Sequence, residues 1–143
     1  MNKVKVIGGG LAGSEAALQL AKRGIDVELY EMRPKKSTGA HVGSDFAEFV
    51  CSNSLGSSDV TNASGLLKKE METLGGELIK IAYECSVPAG NALAIDRTLF
   101  SSKVTEKIKQ NEHITIISDE VEEIPEGNVI VASGPLTSDK LSE

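Results

Sequence analysis

The chain has 143 residues, enough for one domain with a hydrophobic core, and it carries a net charge of −6 with only 3% aromatic residues. This balance excludes a uniformly basic nucleic-acid surface and a module that stacks single-stranded bases on several exposed rings. No apolar signal segment and no run near the roughly 18 apolar residues of a membrane span is found, so we expect a cytoplasmic protein without membrane contact. Cys51 and Cys85 lack the spacing of metal ligands, and we expect two reduced thiols and no metal.

The first 31 residues have the pattern of a βαβ unit. Residues 3–8 and 25–31 are short apolar strands, and between them apolar residues recur at helical spacing. Gly24 stands where a helix commonly ends in a left-handed residue. Residues 1–31 are therefore predicted to form strand, glycine-rich turn, helix and strand in that order.

The glycine-rich turn has the spacing of a dinucleotide-binding fingerprint. Gly8 allows the tight turn, Gly10 lets a pyrophosphate approach the backbone, and Gly13 lets helix and strand pack closely. Glu31 ends the second strand, where a carboxylate accepts hydrogen bonds from ribose hydroxyls and disfavours a 2′-phosphate. The predicted cofactor-binding residues of this unit are Gly8, Gly9, Gly10, Leu11, Ala12, Gly13 and Glu31.

The middle of the chain, residues 32–112, is predicted to insert long loops and helices. Residues 32–45 and 52–65 have the composition of binding loops, and DFAEFV between them is compatible with a short helical turn. One amphipathic helix is predicted over 66–82, weakened at Gly75-Gly76, with Lys68 on its solvated face. Its apolar face would hold Leu67, Met71, Leu74, Leu78 and Ala82.

A second helix is predicted after the loop 86–96. Asp96 is expected to cap it, and its apolar face would hold Phe100, Val104 and Ile108.

Residues 113–134 are then predicted to return to the sheet through strands at ITII, EVEEI and VIVASG, with a turn at 125–128. The hairpin-like return and the turn Ala132-Ser133-Gly134 resemble flavoproteins with two dinucleotide-binding domains, which favours FAD over NAD. The predicted fold is α/β, a Rossmann-like FAD/NAD(P)-binding fold that is incomplete at its C-terminus, and the cofactor-binding set also includes Val121, Ser133 and Gly134.

Six stretches carry a more specific resemblance. GGGLAGSEAA, LYEMRP, FAEFVCSNSL, TNASGLLKKEM, VPAGNALAIDR and VASGPLTS, in this order, closely resemble the folate- and FAD-dependent tRNA uracil-5-methyltransferases, which are related to the GidA flavoproteins. The sister family that modifies wobble uridines shares the GGG-x-AG-x-EAA start but lacks FAEFVCSNSL. Members of the resembled family continue well past 143 residues, so we expect the N-terminal part of an FAD domain that is inactive alone.

The resemblance implies a reaction and places residues in it. Family members methylate a uridine of the tRNA T-loop with methylenetetrahydrofolate, reduced FAD and NAD(P)H, so tRNA and folate are the implied partners. Cys51 matches the cysteine implicated in catalysis, where a thiolate would activate uracil or meet the methylene group. Arg33 is a further candidate for the cofactor, and the candidates for the substrate are His41, Asn53, Ser54 and Arg97, the last supported by its place in the AIDR stretch. The alternatives are an exposed or structural histidine, capping and turn roles for Asn53 and Ser54, and a structural arginine at a helix start.

Alternatives stay open from the residues alone. Cys51 could be a packed, inert cysteine, and Arg33, Lys35, Lys36 and His41 would activate its thiol only if their loop folds back. The chain could also be a flavin-dependent oxidoreductase with Cys51 as a redox thiol, although it lacks a C-x-x-C pair. Further alternatives are a wobble-uridine-modifying flavoprotein and a nucleotide-binding module without activity.

Overall fold

The computed structural model describes residues 3–143; Met1 and Asn2, which begin the predicted βαβ unit, lie outside the described residues. In the described part, no helix has the length and apolar character needed to cross a bilayer. The elements in chain order are β1 (Val4–Ile7), α1 (Leu11–Lys22), β2 (Val27–Tyr30), β3 (Ser54–Ser57), α2 (Ala63–Thr73), α3 (Glu77–Glu84), β4 (Ser86–Val87), β5 (Ala92–Ile95), α4 (Arg97–Lys109), β6 (Ile114–Ile117), β7 (Asn128–Val131), a 3₁₀ turn (Gly134–Leu136) and α5 (Asp139–Ser142).

The main sheet has four parallel strands in the order β6-β2-β1-β7. Val6 pairs with Leu29 on one side and with Ile130 on the other, and Val6 and Leu29 are fully buried. Parallel strands need crossover connections, and α1 supplies the first of these between β1 and β2. The predicted βαβ start and the α/β class are therefore confirmed.

Helices α1 and α4 cover the sheet with the faces that their sequences predict. Ala17, Leu18 and Ala21 of α1 are buried, and Gly24 adopts φ +71° just after the helix. The carboxylate of Asp96 accepts hydrogen bonds from Thr98 N and Leu99 N at 3.1 and 3.0 Å, which caps α4 as predicted. The predicted apolar face of α4 is fully buried and consists of Phe100, Val104 and Ile108.

A second sheet corrects the predicted loops. Strands β3, β5 and β4 form an antiparallel sheet within residues that were expected to be loop. Ser54 pairs with Ala94, and Ser57 pairs with Ala92. The serine- and glycine-rich sequence of β3 has little intrinsic strand preference, so its conformation depends on a partner distant in the sequence.

The predicted single helix over 66–82 is two helices. Gly75 adopts φ +82° and ends α2, and α3 restarts at Glu77. The carboxylate of Glu15 in α1 accepts hydrogen bonds from Glu77 N and Leu78 N at 2.9 and 2.7 Å. A carboxylate from a neighbouring helix therefore satisfies the free N–H groups at the start of α3.

Helix α2 is also turned relative to the predicted orientation. Leu67, Met71 and Leu74 are exposed, whereas Lys68 is 4% exposed. The Lys68 ammonium donates to the carbonyl and hydroxyl oxygens of Ser64 at 2.8 and 2.7 Å, and burial lowers the Lys68 pKa. Only the α3 part of the predicted apolar face, Leu78 and Ala82, enters the core.

Three further expectations are wrong. EVEEI forms no strand, and β7 makes no hairpin, because β7 lies parallel to β1 at the sheet edge opposite β6. Residues 118–127 therefore cross from one edge to the other without a strand partner. DFAEFV is not helical: it turns at Phe46-Ala47, where Ala47 has φ +54° and donates its N–H to Gly9 O at 2.8 Å.

Glu77 joins three helices through lysines. Its carboxylate accepts hydrogen bonds from Lys22 of α1 at 2.8 Å and from Lys107 of α4 at 2.6 Å. Burial raises the pKa of Glu77, but the two lysines outweigh it and lower the pKa from 4.5 to about 2. Folding lowers the pKa of this carboxyl, so its ionised form stabilises the native state at every pH above the pKa of the unfolded chain. That contribution is lost as the pH falls through the pKa of the folded state.

We therefore expect Glu77→Gln to lower the free energy of unfolding by about 2 kcal/mol at pH 7. This is less than the free energy that corresponds to the whole pKa shift of Glu77, because the two lysines are half exposed and solvent weakens their attraction. The difference from the wild type should shrink as pH falls from about 4.5 towards 2. Urea unfolding of both proteins at pH 7 and pH 3 measures this. An equal loss at both pH values would show that the ionised carboxylate is not responsible.

Candidate functional site

A cleft of about 310 Å³ lies at the carboxyl ends of β1, β2 and β7. Ligands of open α/β sheets bind at this edge, and the volume is at the lower end of small-molecule sites. The cleft brings together ten of the residues predicted from the sequence: Gly8, Gly9, Gly10, Leu11, Ala12, Glu31, His41, Val121, Ser133 and Gly134.

The three fingerprint glycines meet different steric demands. Gly8 adopts φ +101°, and a Cβ there would lie 2.8 Å from the carbonyl oxygen of Ala132. A Cβ on Gly13 would lie 1.8 Å from the carbonyl oxygen of Gly8, so only glycine lets α1 pack on this turn. A Cβ on Gly10 would meet no atom within 4 Å, and Gly10 lines the cleft. Gly8 and Gly13 are thus required by packing, while Gly10 leaves room in the cleft.

The N-terminus of α1 opens onto the same cleft. The first hydrogen bond of the helix runs from Ser14 N to Gly10 O at 3.0 Å, so the N–H groups before Ser14 have no acceptor within the helix. Leu11 and Ala12 line the cleft at this end. Free N–H groups and the positive end of the helix dipole make this wall suitable for phosphate oxygens.

Glu31 is 7% exposed and is held from two sides. Its Oε2 accepts hydrogen bonds from Gly9 N at 2.9 Å and Arg33 Nη2 at 3.2 Å, and its Oε1 accepts from Arg33 N and Nε at 3.0 and 2.9 Å. Burial raises the pKa of Glu31, but the hydrogen bonds and charge of Arg33 outweigh it and leave the pKa lowered. The carboxylate is therefore ionised at neutral pH and fixes the glycine turn through Gly9.

Cys51 is exposed, and Val50 next to it lines the cleft. The interpretation of Cys51 as a packed cysteine is therefore wrong, whereas Cys85 is buried and burial raises its pKa. Both thiols are free, as predicted. Lys35 and Lys36, considered as cationic neighbours of Cys51, pair instead with Asp119 and Glu120, each at 2.6 Å.

The remaining predicted substrate residues divide between two places. His41 lines the cleft, its Nδ1 lies 2.6 Å from Thr38 Oγ1, and burial followed by the charge of Arg33 lowers its pKa. Asn53 and Arg97 lie together at a shallow depression beside Asp96, outside the cleft. Ser54 begins β3, and its hydroxyl accepts a hydrogen bond from Gly56 N at 3.1 Å.

With this geometry established, comparison with known proteins identifies the family. The profile of the family described as Glucose inhibited division protein A matches residues 3–140. The chain belongs to this family. The sequence relationship to the folate-dependent tRNA methyltransferases, inferred above from six stretches, is confirmed by individual relatives in the same comparison.

Two relatives of this member of the Glucose inhibited division protein A family are named methylenetetrahydrofolate--tRNA-(uracil-5-)-methyltransferase TrmFO. The protein from Bacillus licheniformis is 61% identical and that from Bacillus subtilis 60% identical, each over 139 residues. The match covers 97% of this chain and 32% of each relative, so the chain spans about a third of their length. A crystal structure of a point mutant of MHPCO has a TM-score of 0.45 at 16% identity, covering 81% of this chain and 31% of that one, a likeness too low to carry an argument.

Within this family member, the position of Arg33 and the part played by Glu48 were not predictable. Arg33 does not line the cleft; it is buried behind it between two carboxylates, with Glu31 and Glu48 each at 2.9 Å. Glu48 lines the cleft and also accepts hydrogen bonds from Val42 N and Gly43 N at 2.8 and 3.2 Å. The sequence shows Glu48 only as an acidic residue inside FAEFV, and this does not reveal its partners Arg33, Val42 and Gly43.

Proposed function

We propose that this chain is part of a methylenetetrahydrofolate-dependent tRNA (uracil-5-)-methyltransferase that uses FAD and NAD(P)H in the cytoplasm. The observation that carries the proposal is the 61% identity, over 97% of this chain, to a relative with that name. Because the chain spans about a third of such relatives, the activity, the tRNA and the folate belong to the proposal for the whole protein.

The residues around the cleft fit the adenosine and pyrophosphate parts of FAD. Gly10 leaves open space, and the N–H groups at the start of α1 suit the pyrophosphate. Glu31 is an ionised carboxylate at the end of β2, the place where such an acid accepts ribose hydroxyls. The parallel placement of β7 removes the hairpin as an argument for FAD, so the choice over NAD rests on family membership and the resemblance.

The turn after β7 forms the opposite wall of the cleft. The N–H of Ala132 donates to Ile7 O at 2.8 Å, which fixes the start of this turn beside the glycine turn. Ser133 and Gly134 line the cleft there, and Val121 lines it from the crossing segment. These residues would orient FAD, which when bound supplies hydride for reductive methylation, and would shield it from water.

Cys51 is the proposed catalytic residue of this stretch. Addition of a thiolate to the carbon next to the methylated one makes a uracil nucleophilic, and an exposed thiol can reach a large substrate such as tRNA. Capture of the methylene group by the same sulfur is the alternative role. His41, Asn53, Ser54 and Arg97 are proposed substrate contacts, of which only His41 lines the cleft.

The function is tested with protein expressed from its complete reading frame. Labelled methylenetetrahydrofolate, FAD and either NADH or NADPH are incubated with unmodified tRNA, and the nucleosides are separated. We expect label in 5-methyluridine from the T-loop. An FAD-containing protein that leaves tRNA unlabelled would refute the methyltransferase and favour the oxidoreductase, and label at a wobble uridine would favour the sister family.

A further inference from the structure

The cleft and the segment that carries Cys51 are joined by a chain of charges that is buried at Glu31 and Arg33 and partly buried at Glu48. The carboxylate of Glu31 receives four hydrogen bonds, one from Gly9 N and three from Arg33. An ionised carboxylate offers about four lone-pair sites, so Glu31 has none to spare. A ribose hydroxyl that donates to Glu31 must therefore replace one of these four N–H groups, three of which belong to Arg33.

The displaced guanidinium keeps a second partner. Arg33 Nη1 donates to Glu48 Oε2 at 2.9 Å and to Gly43 O at 3.4 Å, and the Arg33 side chain is 1% exposed. A buried guanidinium is retained by whichever carboxylate remains, because an unpaired buried charge is costly. Entry of a ribose would thus move hydrogen bonding of Arg33 from Glu31 towards Glu48.

Glu48 transmits that change to the backbone. Its Oε1 accepts hydrogen bonds from Val42 N and Gly43 N, and three residues later the chain reaches Cys51. A second link lies beside it, because Ala47 N donates a hydrogen bond to Gly9 O. The Phe46 ring packs against Gly9 so closely that a Cβ on Gly9 would lie 2.5 Å from the ring atom Cδ1. Segment 42–51 is therefore attached to the glycine turn directly, through Ala47, and indirectly through Arg33, which holds Glu48 and the carbonyl oxygen of Gly43.

We propose that Glu48 is a positioning residue that couples ribose binding in the cleft to the conformation of segment 42–51, and so to Cys51. The proposal rests on the proposed function in one respect, that the cleft takes an adenosine-containing dinucleotide. It adds a link between the occupied ribose site and the segment that carries the thiol.

The test measures alkylation of Cys51 by N-ethylmaleimide in the protein from the complete reading frame, freed of FAD, with labelled peptides resolved by mass spectrometry. ADP is the probe, because it carries the ribose and the phosphates without the flavin, and its dideoxy analogue shows whether a bound nucleotide merely covers Cys51. Saturating ADP is expected to change the rate of alkylation about fivefold, the low end of coupling between two sites. 2′,3′-Dideoxy-ADP, which lacks both hydroxyls that would displace Arg33, should bind and leave the rate unchanged.

At ADP concentrations that saturate each variant, Glu48→Gln should lose the effect of ADP on Cys51, while Glu106→Gln, which changes an exposed carboxylate on α4, should keep it. Coupling that persists in Glu48→Gln, or a wild type that binds ADP with no change in alkylation, would overturn this inference and leave the proposed function standing. A wild-type protein that binds neither ADP nor FAD would overturn both.

Discussion

Gly10→Ala is expected to leave the fold intact and to weaken FAD binding about 100-fold. The added Cβ meets no atom of the protein within 4 Å, and φ −72° suits alanine, so we expect unfolding to change by no more than about 1 kcal/mol, the difference between glycine and alanine at a helix N-cap. The same methyl group occupies the space through which a pyrophosphate would reach the N–H groups of α1, and overpacking of this kind costs about 1–3 kcal/mol.

Gly13→Ala is the matched variant with the opposite outcome. Its Cβ would lie 1.8 Å from the carbonyl oxygen of Gly8, which is backbone and cannot turn aside. We expect a loss of about 3 kcal/mol or more in unfolding free energy, with failure to accumulate as folded protein. Thermal unfolding and FAD titration of both variants measure the two effects. Unchanged FAD affinity in a folded Gly10→Ala protein would show that the pyrophosphate does not lie against this turn.

Cys51→Ala is expected to lower methyl transfer at least about 10³-fold while FAD binding stays unchanged. The thiol is exposed and is proposed to form a bond with a reacting carbon. Removal of a nucleophile that works together with the other groups of its site abolishes most of the rate enhancement of an enzyme. Because Cys51 is outside the packed core, its loss should leave unfolding within about 0.5 kcal/mol of the wild type.

Cys51→Ser separates the thiolate from the shape of the side chain. A serine hydroxyl is not ionised at neutral pH, so the serine variant should be nearly as inactive as the alanine variant. Both are assayed by single-turnover transfer from labelled methylenetetrahydrofolate to tRNA. Activity retained by both variants would remove Cys51 from the chemistry and leave the function to other residues. Activity retained by the serine variant alone would show that a thiolate is not required at this position.

Much of the fold was predictable because its signals are local. The βαβ unit follows from two apolar strands, a helical spacing between them and glycines at fixed positions. The cap of α4 follows from one aspartate before an apolar helix face. Each of these depends on residues within a turn or two of one another, so a single sequence determines them.

The errors arise where a distant partner decides. β3 is a strand because Ser54 and Ser57 pair with β5, and its own residues have weak strand preference. α2 exposes Leu67 and buries Lys68 because contacts with β3 and α3 outweigh the apolar pattern of the helix. EVEEI alternates like a strand, yet no neighbour is available to it between the two edges of the sheet.

The sequence by itself determined the family, the parallel α/β start and the glycine turn with its acid, since each is written in contiguous residues. Only the tertiary structure decided that Arg33 stands behind the cleft between Glu31 and Glu48, and that Val50 faces the cleft while Cys51 is exposed beside it. The physical reason is that a buried charge is fixed by the partners the fold brings to it. Those partners lie on separate segments, and their spacing along the chain does not predict that they will be in contact.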